Sequence, residues 1–253
     1  EIAQCLVGSE MCIRDRKDRY GREIDYLRIS ITDRCNLRCI YCMPEEGICQ
    51  TAHKEILTYD EIRRICRCMT ALGIKKIKLT GGEPLTRKDS AVLVRMLKEL
   101  PGIEKVTLTT NGILLKEQMA ELAEAGIDNI NISLDTLNTE AFQKITRREG
   151  LTRVLEGLKE AMKYPQIGLK INCVPVLEDP ENLINLAGIA RDNPIHVRFI
   201  EMMPIGYGKE FRFCGEDEIC SVLEGAYGEM TPITEKYGNG PCCLLYTSDA
   251  ADE

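Results

Sequence analysis

What this 253-residue chain has little of narrows its chemistry first. No run is apolar for the length of a membrane span, and Leu6-Val7-Gly8 near the start has no apolar core of the kind a signal peptide needs. Positive charge is not in excess. The formal net charge of -7 argues against a general nucleic-acid binder while leaving room for a local basic pocket that takes a phosphorylated small molecule. Histidine is scarce: His53 and His196 are the only two, and neither lies in a Ser, Cys or Asp pattern that would make a hydrolytic triad. Internal repeats and low-complexity linkers are also lacking. Neither a membrane nor a nucleic acid is expected as a partner, and the apolar content is that of an ordinary soluble globule.

Cysteine, by contrast, is abundant at thirteen residues. In a small secreted domain that number would suggest disulfides. Four of them, Cys5, Cys12, Cys242 and Cys243, fall at ends that read as foreign. Residues 11–15, Met-Cys-Ile-Arg-Asp, can be encoded so that the reverse complement, shifted by one base, gives Cys-Leu-Leu-Tyr-Thr, which is residues 243–247. One adapter-like DNA tag read from opposite strands accounts for both. Residues 1–16 and 242–253 are therefore set aside as artefact, and the rest is expected to be a piece of a longer protein. With no signal peptide and a ligand-like cysteine triplet, a reducing cytoplasm fits best. Cys66, Cys68, Cys173, Cys214 and Cys220 are expected to be buried free thiols.

Short β-rich runs at 26–31, 75–79, 105–109, 129–133, 168–173 and 196–200 alternate with helical patterns. Apolar residues recur at helical spacing in Ile62, Ile65, Cys66 and Met69, in Leu93, Met96, Leu97 and Leu100, and in Val154, Leu155, Leu158 and Met162. Thr58 with Glu61 makes a capping-box pattern, and Gly126 is placed to end a helix. Repeated βα units imply an α/β fold with a parallel sheet, either an open doubly wound layer or a partial barrel. Gly206-Tyr207-Gly208 marks the expected boundary between a core at 17–206 and the start of a second region at 207–241.

Parallel α/β sheets gather their sites at the carboxyl ends of the strands, and the unusual residues fall there. First come Cys35, Cys39 and Cys42, spaced by three residues and then two. Such a loop can wrap an iron-sulfur cube and leave its fourth iron unligated, because a closed electron-transfer cluster needs a fourth cysteine. Cys49, beyond Pro44 and Gly47, breaks the compact spacing and reads as a bystander. The plain alternative is zinc, which wants four ligands and usually paired C-x2-C knuckles, of which only Cys39 and Cys42 form one.

Thr80-Gly81-Gly82-Glu83-Pro84 follows the second strand. Paired glycines there usually mean a turn; they also let a backbone approach a ligand, and the Glu83 carboxylate beside them can receive an ammonium group. Thr109-Thr110-Asn111-Gly112, Ser133-Leu134-Asp135, Lys170 with Asn172, and Glu201-Met202-Met203 mark the next four strand ends. Arg28, Lys78, Lys170 and Arg198 are cations on strands, where charge is costly unless it meets a partner. Phosphate is one reason for them; ion pairs with Glu83, Asp135 or Glu201 are the other. Arg147 and Arg148 look like a solvated helix end, and Met202 and Met203 like packing residues.

Taken in order, the cysteine loop with Tyr41 before its last cysteine and the Gly81-Gly82-Glu83-Pro84 turn resemble the radical S-adenosylmethionine (SAM) superfamily. The runs at 26–39, 79–85, 109–112, 131–135 and 198–204 are similar to the GTP 3',8-cyclase family, which opens molybdenum-cofactor biosynthesis, over nearly all of 17–241. The resemblance implies a partial (β/α)6 TIM-like barrel in which Cys35, Cys39 and Cys42 ligate a 4Fe-4S cluster whose open iron is chelated by SAM. It assigns SAM contacts to Tyr41, Gly82, Ser133 and Met203, and GTP contacts to Arg28, Lys78, Thr109 and Lys170, with Arg198 joining the latter set. Reductive cleavage of SAM would give a deoxyadenosyl radical that takes hydrogen from the ribose 3' carbon. The sugar radical would then attack guanine carbon 8 to give (8S)-3',8-cyclo-7,8-dihydroguanosine 5'-triphosphate.

The implied partners are GTP, an electron donor that the residues do not identify, and the next pathway enzyme, which makes cyclic pyranopterin; a homodimer is left open. The family also carries a second cluster, held by three more cysteines in a C-terminal domain, and a diglycine tail. Neither is found in this sequence, so the chain is expected to keep the SAM half of the site, to lose much of the GTP half, and to be inactive as a cyclase while still cleaving SAM slowly. The alternatives are another radical SAM enzyme, such as a peptide-modifying one, and a non-catalytic metal-binding module.

Overall fold

The computed structural model describes residues 23–176, 179–212, 214–233 and 245–247. All of 1–16 and of 234–241, and most of 242–253, lie outside these residues.

Six strands form one parallel sheet: β1 (Tyr26–Ser30), β2 (Lys76–Thr80), β3 (Lys105–Thr110), β4 (Asn129–Ser133), β5 (Gly168–Cys173) and β6 (Ile195–Phe199). Each agrees with an expected run to within one residue at either end. Spatial order equals chain order, β1-β2-β3-β4-β5-β6. This excludes the doubly wound alternative, which needs a point where strand order reverses. Successive right-handed crossovers in one direction put every helix on one face, so the sheet is a partial (β/α)6 barrel.

The crossovers contain α1 (Tyr59–Ala71), α2 (Ser90–Lys98), α3 (Leu115–Glu124), α4 (Thr139–Thr146) with α5 (Leu151–Ala161), and α6 (Pro180–Asp192). Thr58 and Glu61 do form the capping box at α1: the threonine hydroxyl oxygen accepts from Glu61 N, while the Glu61 carboxylate accepts from Thr58 N at 2.7 Å. Gly126 takes a left-handed φ of +85° just past α3, as a helix-ending glycine should. Three residues expected on buried helix faces are instead exposed: Ile65, Leu155 and Met162. Of the five thiols expected to be buried, Cys66 and Cys173 are, Cys214 and Cys220 are half-buried, and Cys68 is exposed. Cys68 lies two positions from Cys66, nearly opposite it on a helix of 3.6 residues per turn.

The strands alternate strictly. Ile77, Leu79, Val106, Leu108, Ile130, Ile132, Leu169, Ile171 and Ile195 point toward the helices and are buried in one continuous core with Leu93, Leu97, Leu122, Val154 and Leu158. At the intervening positions stand Arg28 and Ser30, Lys78 and Thr80, Thr107 and Thr109, Asn131 and Ser133, Lys170 and Asn172, and His196 and Arg198. A parallel sheet covered on both faces reads as near-continuous apolar runs; here one face is wholly polar. That concave face and the strand ends above it place the site.

Past β6, α7 (Glu216–Tyr227) packs on α6 around a small separate cluster of Leu183, Ile219 and Leu223. Two short strands, β7 (Met230–Pro232) and β8 (Leu245–Thr247), pair antiparallel, and β8 is the one described part of the segment read as foreign. Among the described residues no helix is long and apolar enough to cross a membrane.

Candidate active site

The cysteine loop runs from the end of β1 and is fastened on both sides. At its start, Gly82 N–H donates to the Thr32 carbonyl at 2.6 Å and Glu83 N–H to the Arg34 carbonyl at 2.7 Å. A Cβ on Gly82 would enter the Arg34 carbonyl, and one on Gly81, at φ +159°, would come within 2.5 Å of the Thr32 carbonyl oxygen. The glycine pair is therefore required by close passage against the cysteine loop itself. On the other side, Arg38 N–H and Ile40 N–H donate to the carbonyls of Thr146 and Ile145 at the end of α4, both at 2.9 Å. Arg147, left-handed at φ +54°, donates its guanidinium to the carbonyls of Arg38 (3.2 Å) and Met43 (3.0 Å). Read from sequence as part of a solvated end, Arg147 is a clamp on this loop; only the fold reveals that, because its partners lie more than a hundred residues away.

Cys35 and Cys39 are half-buried and Cys42 is exposed. Burial pushes all three thiols up, Cys39 to about 12, and the nearby charges of Cys35, Cys42 and Asp135 add to its shift. Left alone, such thiols stay protonated; a bound cation would supply the charge that makes them thiolates. Among the described residues no three His, Cys, Asp or Glu side chains converge to hold one metal ion. Three thiols on one loop match a cluster with an open iron, whereas a tetrahedral zinc wants a fourth ligand.

Tyr41 donates its hydroxyl to Asp135 Oδ2 at 2.7 Å, and Asp135 Oδ1 accepts from Val174 N at 2.8 Å. Burial lifts the Asp135 carboxyl to about 6 in spite of these bonds. Cys39, Tyr41, Ser133, Asp135, Asn111 and Phe142 share the wall of one small cavity. Ser133, half-buried at the end of β4, thus comes together with the cysteine loop. Met203 stands 66% exposed after β6, whereas Met202 is buried.

Glu83 is 1% exposed and fully engaged within the chain. Its Oε1 accepts from Leu85 N (3.0 Å) and Thr110 Oγ1 (2.7 Å), and its Oε2 from Asn111 N (2.6 Å). Burial raises its carboxyl, and these three bonds oppose the rise. The carboxylate read as a receiver for an ammonium group sits here as a latch between the ends of β2 and β3.

Below the loop, the concave face gathers the cations. Burial lowers the Lys78 ammonium to about 8, helped by the charges of Arg198, Arg28 and Lys170. Burial likewise lowers His196, with Lys170 and Arg198 adding to it. Arg28 lies beside Lys78 in register, with its Nε 3.5 Å from Thr80 Oγ1. Thr109 is level with Asn131 and Lys170, and Ser133 with Asn172 and Arg198. Of the acids considered as ion-pair partners, Glu83 and Asp135 accept from the groups described above, and Glu201 Oε1 accepts from Glu216 N at 3.0 Å. Several cations turned toward one polar face make a place for a multiply charged anion.

The family model described as the Radical SAM superfamily matches residues 29–188, from the end of β1 into α6. The chain belongs to the radical SAM superfamily, and membership implies a 4Fe-4S cluster and the use of SAM. Its relatives narrow the class. The GTP 3',8-cyclase of Pelotomaculum thermopropionicum is 42% identical over 239 residues, covering 93% of this chain and 74% of that protein. That of Peptoclostridium acidaminophilum is 48% identical over 208 residues, covering 80% and 64%. Within the superfamily, the chain belongs to the GTP 3',8-cyclase family, and spans 64% to 74% of the length of these two relatives.

Among solved structures, Streptococcus suis SuiB bound to S-adenosylmethionine is 25% identical with a TM-score of 0.57, covering 69% of this chain and 38% of that one. Coproporphyrinogen III oxidase from Escherichia coli, at 13% identity and a TM-score of 0.56, covers 79% and 50% and shares the fold.

Proposed function

We propose that this chain carries the SAM-cleaving and triphosphate-binding part of a GTP 3',8-cyclase acting in molybdenum-cofactor biosynthesis. The observation that carries the reading is the wholly polar concave face, with Arg28, Lys78, Lys170 and Arg198 on it and three thiols at its rim. A triphosphate meets those cations with charge-assisted bonds, which an apolar substrate cannot make.

Cys35, Cys39 and Cys42 would hold the cluster, with Gly81-Gly82 and Arg147 fixing the loop that carries them. When bound there, a 4Fe-4S cluster with SAM on its open iron supplies reductive SAM cleavage and a deoxyadenosyl radical, given one electron from a low-potential donor. Ser133 and Tyr41 lie where they can orient SAM beside Cys39. Lys78, Lys170, Arg28 and Arg198 would fix the triphosphate, and Thr109 half-way up the face would meet the nucleoside. A second cluster, the cytoplasmic location and the domain division near 206 belong to the same reading.

The test is deoxyadenosine formation by the anaerobically reconstituted protein with SAM and dithionite. Addition of GTP should stimulate it, and guanosine, which has no phosphates, should not. Equal stimulation by guanosine, or none by GTP, would overturn the assignment of the cation face.

A further inference from the structure

Resting on the cluster reading above, we propose that Asn111 is a positioning residue for the first cluster cysteine, held in place by Glu83. Asn111 is the first residue after β3. Its backbone N–H donates to Glu83 Oε2 at 2.6 Å, and its side-chain Oδ1 accepts from Ile113 N at 3.1 Å. A backbone N–H can only donate, so the atom facing Ile113 is the oxygen and the NH2 group is turned toward the cysteine loop. There it donates to Asn36 Oδ1 at 2.7 Å and approaches Cys35 Sγ at 3.9 Å. Two hydrogens thus face two acceptors on neighbouring residues. The Cys35 sulfur also takes the Leu37 N–H at 3.4 Å. Behind Asn111, the buried Glu83 is locked by Leu85 and Thr110. One hydrogen-bonded chain therefore runs from the Gly-Gly-Glu-Pro turn, across the end of β3, to the first cysteine.

The consequence is electrostatic as well as mechanical. N–H groups aimed at a ligating sulfur favour the more negative, reduced state of a cluster, and such donors are among the levers that set its potential. Asn111→Asp keeps the shape and the bond from Ile113 N but turns an acceptor toward Cys35 and Asn36. Asn111→Ala removes the donor outright.

The experiment is an anaerobic redox titration of the reconstituted holoprotein, followed by the electron paramagnetic resonance signal of the reduced cluster. Wild type should show a reducible cluster. Asn111→Asp should lower the reduced-to-oxidised ratio at the wild-type midpoint about tenfold, which is 59 mV for one electron, and Asn111→Ala should shift it less in the same direction. Glu83→Gln should shift it too, and adding it to Asn111→Ala should shift no further than Asn111→Ala alone, because both act through one chain. Loss of the cluster in both Asn111 variants, with the cluster-free protein melting as wild type, would equally support positioning. Wild-type potential and signal in Asn111→Asp and Asn111→Ala would overturn the proposal. A wild-type protein without a reducible cluster would overturn the reading beneath it as well.

Discussion

Lys78 carries the most informative charge in the molecule. Its ammonium is held down to about 8 by burial and then by Arg198, Arg28 and Lys170, against an ordinary 10.5. The lysine therefore opposes folding at neutral pH, and that cost fades as pH rises from about 8 toward 10.5, where the unfolded chain binds the extra proton. Lys78→Met should accordingly raise the melting temperature of the ligand-free protein while weakening triphosphate binding roughly 10- to 100-fold, the range of a charged hydrogen bond. A triphosphate should lift the lysine back up, so binding takes up a proton above pH 8 and affinity declines as pH rises further. Calorimetry of GTP binding in buffers of different ionisation enthalpy reads that uptake; none between pH 8 and 9 would count against Lys78 facing phosphate. The cations were legible in the sequence as charges on strands. What Glu83 and Asp135 do instead was not, because those carboxylates bind backbone N–H groups and hydroxyls up to 94 residues away.

At the scale of elements, six strands and their order of use were legible because apolar and polar residues alternate so regularly. Periodicity alone left the topology open, since it cannot say whether strand order reverses; the family resemblance of the motifs pointed to the partial barrel, and the strand order bears it out. The glycine pair shows a similar limit: it was legible as a turn or a ligand approach, yet the fold presses it against Thr32 and Arg34 of the cysteine loop. Gly82→Ala should therefore displace that loop, costing about 1–3 kcal/mol as overpacking does, and reduce iron bound per chain. Gly225, inside α7 with nothing within 4 Å of an added Cβ, is the matched control. Gly225→Ala should leave iron content unchanged and stabilise slightly, by about 0.4–1 kcal/mol. Iron analysis and thermal melting of the two variants side by side check both; full iron in Gly82→Ala would show that the loop tolerates the shift.

For the molecule as a whole, the sheet's helix-facing side is a finished core and its other side is a charged concavity, so cofactor and substrate should act as parts of the structure. A cluster held by the three cysteines would tie together a loop that otherwise depends on Gly82, Arg147 and a few backbone bonds, and a group that binds only the native state raises the melting temperature. The anaerobic holoprotein should melt higher than the cluster-free chain, and Cys39→Ala should abolish both that increment and deoxyadenosine formation. An unchanged increment in Cys39→Ala would remove that thiol from the ligand set. The most direct measurement is turnover with SAM, reductant and GTP carrying deuterium at the ribose 3' carbon, with mass analysis of the deoxyadenosine. One deuterium in deoxyadenosine is the expected result; unlabelled deoxyadenosine formed at the same rate with or without GTP would contradict the proposed chemistry.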